Sequence, residues 1–340
     1  MNRESKNDLP DFNFDKKVVC ITGANGFIGR TLVENLIKKG GRIKILTRQK
    51  NQKFSTKVET FLGDLTDSNC AFEGFLKDAD ILVHCAGETK NEKKMSALHI
   101  DGTQALILAV KNEISRSEKI FHWIQLSSCG AYGQPMKCNI ENFREILETT
   151  ETAPNNMYEI TKTRSDELVV AASNSSLFYT ILRPSNVIGP SMKPNSFHLL
   201  IRLIGSGFFF HIGKKDAIAT YVHVDDVVKA IVLIATNPKS RNQIYNISSD
   251  CKWVDLVKEI AVAMNKNILP FRVSYKLISP FFLFIKFVFG KVVHVPQISS
   301  FAFRTTYPTL KIESQLGYKF SKKIPESVQV LLKELAYFNK

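Results

Sequence analysis

Short runs of β-branched and aliphatic residues recur along the first half of the chain, each followed by a stretch whose apolar positions return every three to four residues. Val18–Thr22 is the first such run; it ends in a Gly-rich turn and passes into a helical pattern over Arg30–Lys39. Gly40-Gly41 stops that helix, and Arg42–Thr47 reads as the second strand. Further strands are predicted at Thr60–Leu62, Ile81–Cys85, Trp123–Ser127 and Thr180–Arg183, with helices at Ala71–Lys77, Met95–Asn112 and Tyr158–Ala172 between them. Strands that alternate with helices imply parallel pairing, because a parallel connection needs a long crossover. Strands apolar along their whole length imply a sheet covered on both faces. The expected fold is therefore α/β, a Rossmann-type doubly wound parallel sheet.

Beyond residue 184 the rhythm breaks at Pro184, Pro190 and Pro194, with helices near Phe197–Ile204 and Asp225–Ala235 and a strand at Gln243–Ile247. This divides the chain into a polar N-terminal extension (1–16), a dinucleotide domain (17–183, with a return segment around 221–248) and a smaller C-terminal lobe (184–340) for substrate.

The candidate phosphate cradle is the turn Thr22–Arg30, in which Gly23, Gly26 and Gly29 follow a strand and open a helix. One glycine allows the tight turn, one admits backbone close to a pyrophosphate, and one lets the helix pack on the sheet. The free N–H groups of the helix start then face the phosphates. Asn25, Phe27, Ile28 and Arg30 belong to the same cofactor-binding turn. An Asp or Glu normally holds a free ribose 2′-hydroxyl at the end of the second strand, but here it ends Leu46-Thr47-Arg48-Gln49. Arg48 suits a 2′-phosphate, with Arg30 in support, so NADP(H) is favoured and NAD(H) is the alternative.

Tyr158 and Lys162 stand at i and i+4, on one face of a predicted helix. An ammonium there can lower the pKa of a phenol from its usual value of about 10, and an activated phenol can exchange a proton with a substrate oxygen while a nicotinamide exchanges hydride. Ser128 lies at the carboxyl end of the Trp123–Ser127 strand, where open α/β sheets keep their ligands.

These elements come in a larger set: T-G-A-N-G-F-I-G-R (22–30), G-D-L-T-D (63–67), H-C-A-G (84–87), D-G-T (101–103), S-S-C-G-A-Y-G (127–133) and Y-E-I-T-K (158–162). L-R-P-S-N-V-I-G-P (182–190), Y-V-H-V-D-D-V (221–227), Y-N-I (245–247) and L-G-Y (316–318) complete it. In this order the chain resembles the extended short-chain dehydrogenase/reductases, the NAD-dependent epimerase/dehydratase family. The resemblance implies that Ser128 orients the substrate oxygen, Tyr158 is the general acid/base, and Lys162 holds the nicotinamide ribose and depresses the tyrosine pKa. It also implies that Asp64 and Leu65 contact adenine and that Ala86 and Gly87 flank the cofactor. Pro184 and the residues after it, with Asn186 and Cys129, would line the nicotinamide and substrate side. His223, Asp225 and Asp226 would tie the lobes together. Two departures stand out. His99 replaces the usual Asn ahead of D-G-T, which puts the active-site geometry in question. No R-x-G-D-like diphosphate grip is present, leaving Arg272 or Arg304 for that task. The C-terminal layout resembles sugar 4-keto reductases and hydroxysteroid-dehydrogenase-like members.

Charge narrows the partners. Lys and Arg number 46 against 32 Asp and Glu, a net +14, and nine of those units lie between Lys266 and Lys323 beside nine of the 24 Phe. Aromatics gathered into one block, with no nucleic-acid motif, argue against nucleic acid. The block Leu277–Gly290 leaves three readings open: a buried lobe helix, contact with an anionic bilayer through Lys276, Lys286 and Lys291, or a pocket for a lipid-like substrate. The six cysteines show no C-x-x-C pair and no metal-ligand spacing, and Met1–Lys17 carries no apolar run, so no metal, no secretory leader and a reducing, cytoplasmic location are expected, with the inner membrane face as an alternative. A homodimer is compatible with the family. The expected function is an NAD(P)-dependent oxidoreductase or epimerase acting on a nucleotide-linked sugar in surface polysaccharide synthesis, with reduction of a 4-keto sugar preferred. The alternatives are a hydroxysteroid-dehydrogenase-like enzyme for a lipid-like alcohol and, because of His99, a non-enzymatic cofactor-binding protein.

Overall fold

A parallel sheet of seven strands organises the computed structural model: β1 (Val18–Thr22), β2 (Arg42–Thr47), β3 (Val58–Leu62), β4 (Ile81–His84), β5 (Phe121–Leu126), β6 (Leu177–Pro184) and β7 (Gln243–Ile247). The structure describes residue 14 and residues 17–49, 54–67, 70–135, 142–207, 209–269, 271–277 and 300–338, with side chains to 335. The spatial order is β3-β2-β1-β4-β5-β6-β7, so the winding reverses between β1 and β4. Chains leaving those two strands diverge and open a crevice at their carboxyl ends. β1, β4 and β5 are buried at every position, their largely apolar runs carrying His84, His122 and Gln125 into the interior. The edge strand β3 buries Val58 and exposes Glu59, and that alternation is why its first two residues escape a reading by apolar runs.

Helices cover both faces. One face carries α1 (Phe27–Lys38), whose Leu32, Val33 and Leu36 are buried. The other carries α2 (Gly102–Ser117) and α3 (Met157–Ala172), which bury Leu106, Val110 and Val169 against Trp123 and Leu82. The helix predicted at Met95–Asn112 is interrupted: a π turn, Ala97–Asp101, precedes α2. Such turns concentrate at functional sites, since they carry one extra residue per turn and re-aim a side chain.

The lobe has its own core, in which α4 (Ser196–Gly205) and α6 (Trp253–Ala263) pack Phe197, Leu200, Leu256 and Ile260 with Phe301 and Val328. A small sheet joins it to the first domain: strand 218–223 pairs in parallel with 186–188 and antiparallel with 249–252. Between the lobe's segments α5 (Val224–Thr236) packs into the first core. Two expected boundaries change. Phe14, assigned to a polar extension, is 1% exposed and lies in the first core against Gly41. The chain also returns a second time, because α7 (Leu310–Leu316) and the following turn place Ile312, Leu316 and Tyr318 in that same core. A lone aromatic and a short helix carry too little periodicity to announce these contacts. Of the Leu277–Gly290 block only Leu277 falls within the described residues, and it is exposed; 278–290, with Lys286 and Lys291, lie outside them. No described helix is long and apolar enough to cross a membrane.

Asp226 makes the tie between the two regions. It is fully buried, and its carboxylate accepts from Ser321 N and Oγ at 2.7 Å each and from Lys322 N at 2.9 Å. Lys322 Nζ lies 2.9 Å from Asp225 Oδ2. Removing the carboxylate strands two N–H groups and a hydroxyl, and hydrogen bonds to a charged acceptor are worth about 1.5–3 kcal/mol each. Asp226→Ala is therefore expected to cost about 3 kcal/mol or more in urea unfolding, and Asp226→Asn distinctly less.

Candidate active site

The crevice begins with three glycines. Gly23 has φ +68°, and a Cβ there would stand 2.6 Å from Ala86 N, so only glycine lets the turn after β1 touch the end of β4. A Cβ on Gly29 would stand 2.2 Å from Gly23 O, so this glycine seats α1 on the turn. Gly26 is the exposed N-cap residue of α1, and no side chain caps the helix. Uncapped N–H groups at the start of a twelve-residue helix, bordered by exposed glycine, fit the pyrophosphate of a dinucleotide. Phe27 and Ile28 pack their side chains into the lobe core and the first core respectively, so they can serve a cofactor only through backbone. Asn25 Nδ2 donates to Thr47 Oγ1 at 2.7 Å and ties the turn to the end of β2. Arg30 is exposed, with Nε 3.5 Å from Glu34 Oε1.

At the adenosine end, Arg48 is exposed and its Nη1 lies 3.7 Å from Asp64 Oδ2. Asp64 in turn accepts from Thr66 N at 3.0 Å and Thr66 Oγ1 at 2.9 Å. Leu65 is buried, with its carbonyl against the start of α2, where a Cβ on Gly102 would meet it at 2.9 Å. Ala86 and Gly87 follow β4 beside Gly23 and His99.

Ser128, Tyr158 and Lys162 come together at the carboxyl ends of β5 and β6. Ser128 caps the 3-10 turn Cys129–Tyr132, its Oγ accepting from Gly130 N at 3.0 Å, and it lines the same cavity wall as Tyr158. α3 starts where it does because Asn156 Oδ1 accepts from Glu159 N at 3.0 Å. Tyr158, Lys162 and Asp166 then share one helix face at i, i+4 and i+8. Lys162 is buried and its Nζ donates to Leu126 O at 2.6 Å. Asp166 beneath it accepts from Ser127 Oγ at 2.6 Å and pairs with buried Arg183 at 3.3 Å, whose guanidinium covers the Tyr132 ring at 4.9 Å. The expected depression of the Tyr158 pKa by Lys162 is not what this arrangement produces. Burial, helped by the Asp166 and Glu159 charges, pushes the phenol up to about 12, and only the neighbouring Ser128 hydroxyl opposes it. The ammonium, itself lowered by burial, is directed at Leu126 O.

Behind these groups runs a buried hydrogen-bond line whose proton positions follow from its ends. Trp123 Nε1 donates to Gln125 Oε1 at 2.9 Å, and Gln125 Nε2 donates to Ser165 Oγ at 2.9 Å. Thr103 Oγ1 donates to the His99 carbonyl at 2.7 Å, so it accepts from Ser165 at 2.9 Å and from His84 Nε2 at 3.3 Å. His84 Nδ1 must then accept from Thr22 Oγ1 at 2.6 Å. His99 is fixed in the same way. Its Nε2 accepts from Glu88 N at 2.9 Å, so Nδ1 carries the proton and donates to Thr161 Oγ1 at 2.8 Å. Thr161 passes its own proton to Met157 O at 2.7 Å. The imidazole ring meets the Tyr158 ring edge-on, centroids 5.9 Å apart. His99 thus supplies one donor and one acceptor, the same complement as an Asn side chain can offer.

A cavity of about 330 Å³ opens between the domain and the lobe. Ser128, Gly130, Tyr158 and Glu159 line one side; Thr220, Tyr221, Trp253 and Phe303 line the other. Pro184 ends β6 next to it, and Asn186 lies on its wall with Nδ2 donating to Thr220 O at 3.0 Å. Cys129 contributes to the wall, but its thiol donates to Arg183 O at 3.2 Å and burial pushes its pKa far up. Neither arginine expected to grip a diphosphate is among the lining residues. Arg272 Nη1 donates to the carbonyls of Gly213 (3.2 Å) and Lys214 (3.0 Å), and Arg304 pairs with Asp216. Among the described residues, the lining includes no Lys or Arg and a single carboxylate, Glu159. Glu159 is absent from the site read from the sequence, since a Glu in the first helical turn looks like a cap.

Residues 19–248 match the profile of the NAD dependent epimerase/dehydratase family. A UDP-glucose 4-epimerase of Vibrio cholerae is 27% identical over 261 residues, covering 74% of this chain and 76% of that protein. The dTDP-glucose 4,6-dehydratase 1 of Escherichia coli K12 is 26% identical over 289 residues, covering 76% and 79%. The solved UDP-glucose 4-epimerase of Thermotoga maritima, determined with UDP-glucose, has a TM-score of 0.69 at 20% identity and covers 95% of this chain and 100% of its own. The UDP-glucuronic acid 4-epimerase of Bacillus cereus, in complex with NAD, has a TM-score of 0.70 at 17% identity, covering 95% and 100%. These structural likenesses establish the fold.

Burial pushes the imidazole pKa down to about 3 at His84 and to about 4 at His99, His122 and His223. Unfolded histidine protonates below about 6.5, while these stay neutral when folded. Stability present at neutral pH is therefore lost as pH falls from about 6.5 towards 4, by up to about 1.4 kcal/mol per pH unit for each histidine. In urea unfolding at a series of pH values, His99→Asn is expected to flatten this acid limb by about one proton. An unchanged slope would mean that His99 is not held neutral.

Proposed function

The chain belongs to the NAD dependent epimerase/dehydratase family and is an enzyme of the extended short-chain dehydrogenase/reductase type, and we propose that it inverts the configuration at C4 of a nucleotide-linked hexose. The observation that carries this reading is the convergence of Ser128 and Tyr158 on one cavity wall, with Lys162 buried behind them. The Vibrio and Thermotoga relatives, whose names give UDP-glucose 4-epimerisation, support it.

The Gly23–Gly29 turn and the first N–H groups of α1 would hold the pyrophosphate, and Lys162 the nicotinamide ribose. Bound nicotinamide supplies reversible hydride transfer. Tyr158 Oη exchanges the proton of the C4 oxygen, giving it to a carbonyl and taking it from a hydroxyl. Ser128 Oγ, anchored by Gly130 N, orients that oxygen. Loss of water across C5 and C6, as in the dehydratase relatives, needs a further acid and a further base. The described lining holds one carboxyl group, so inversion fits better than dehydration.

A second reading, reduction of a 4-keto sugar by NADPH, is favoured by two observations. The end of β2 offers Arg48 and no carboxylate, and burial keeps Tyr158 protonated, the form that donates to a carbonyl.

Purified protein given UDP-glucose is expected to form UDP-galactose with no net consumption of cofactor, and Tyr158→Phe to lower kcat by about 100-fold or more. A phenylalanine variant as active as wild type would sink the assignment. The second reading expects stoichiometric oxidation of NADPH by a UDP- or dTDP-4-keto sugar. In that assay Arg48→Ala should raise the KM for NADPH about tenfold and leave that for NADH unchanged; a wild type that prefers NADH removes this reading.

A further inference from the structure

Glu159 follows Tyr158 and is 5% exposed, an unusual degree of burial for a carboxylate. Half of it is accounted for. Oε2 accepts from Asn155 N at 3.0 Å, closing a reciprocal cap in which Asn156 Oδ1 accepts from Glu159 N. Oε1 has no hydrogen-bond partner among the described residues, although the side chain lines the cavity. Its position is set by Gly130: a methyl group there would stand 3.0 Å from Glu159 Cγ and 3.3 Å from Ser128 Oγ. The carboxylate therefore lies over the turn that carries Ser128, within reach of whatever Ser128 and Tyr158 hold. Burial raises its pKa in spite of the Asn155 N–H and the neighbouring Asn156 side chain, which favour the charge.

We propose that Glu159 is a specificity-determining residue, its Oε1 accepting a hydrogen bond from a hydroxyl of the sugar ring, and that the site selects neutral hexoses against hexuronates. This rests on the nucleotide-sugar reading above. A buried acceptor with a free lone pair rewards a hydroxyl donor and rejects a ligand that leaves it unpaired. A hexuronate brings a second carboxylate into about 330 Å³, where no described lining residue offers a cation. Like charges in a partly desolvated space repel strongly. Arg272 and Arg304, which could have met the second carboxylate, are held on backbone carbonyls and on Asp216.

The test is a calorimetric titration of the full chain with NAD present, using UDP-glucose and UDP-glucuronic acid. Wild type is expected to bind UDP-glucose at least about tenfold more tightly than the uronate. Glu159→Gln keeps an acceptor for Asn155 and removes the charge, so it should narrow that ratio about tenfold, chiefly by tightening UDP-glucuronic acid. Equal affinities in wild type, or a ratio unmoved in Glu159→Gln, would overturn the inference while leaving the nucleotide-sugar reading standing. The wild-type ratio decides the matter even if the variant folds poorly. Binding of neither ligand would overturn that reading and this inference with it.

Discussion

The site depends on a hydrogen-bond line that can run in only one direction. From the Trp123 N–H through Gln125, Ser165 and Thr103 to the His99 carbonyl, each group between the ends donates to the next, Thr103 also accepting from His84, and every member is neutral. It binds β5, α3, α2 and the π turn into one frame, and the His84 and His99 side chains extend it to β1 and to the loop after β4. Buried polar groups stabilise a structure only when all are satisfied, so the frame has little freedom to shift without losing several bonds together. That rigidity lets Tyr158 and Ser128 be held at a fixed separation on elements that are otherwise far apart in the chain. Beneath Tyr158 the buried charges Lys162, Asp166 and Arg183 lie together, Asp166 bonding Ser127 and Arg183 and standing one helical turn from the ammonium.

The substrate side is built by different means. Its wall combines a rigid half, the Ser128 turn and the start of α3, with a lobe that has a separate core. The two halves are joined by the small sheet around 218–223 and by Asp226 gripping the segment at Ser321 and Lys322. Glu159 stands on the rigid half, so its position relative to Tyr158 does not change with the lobe. The lobe is free to vary in shape without disturbing the chemistry, a division of labour typical of domain-interface sites.

Much of this was legible in the sequence, for identifiable reasons. Short runs rich in β-branched and aliphatic residues mark a strand even where polar residues interrupt them, so β1, β2, β4 and β7 are legible almost to the residue. Gly23 and Gly29 are legible because their roles exclude every other side chain. What the sequence hid were contacts that need no periodicity: Phe14 in the first core, the return of Ile312 and Tyr318, and the π turn that aims His99. Two arginines were placed at the substrate by the need for cations, but Asp216 and a pair of carbonyls hold them elsewhere. Glu159 was passed over because a capping glutamate is ordinarily a surface residue, and nothing local tells that Gly130 has left it room.

The second return of the chain has a consequence for how the protein is made. The core beneath β1 and β4 includes Phe14 at one end of the sequence and Tyr318 near the other. Domains ordinarily fold as they leave the ribosome, the first before the second. Here one flank of the first core stays uncovered until residues 312–318 have been synthesised. The lobe core is completed later still, by Ile324, Val328, Leu331 and Leu335, so the two cores close together near the end of residues 312–335 and not one after the other.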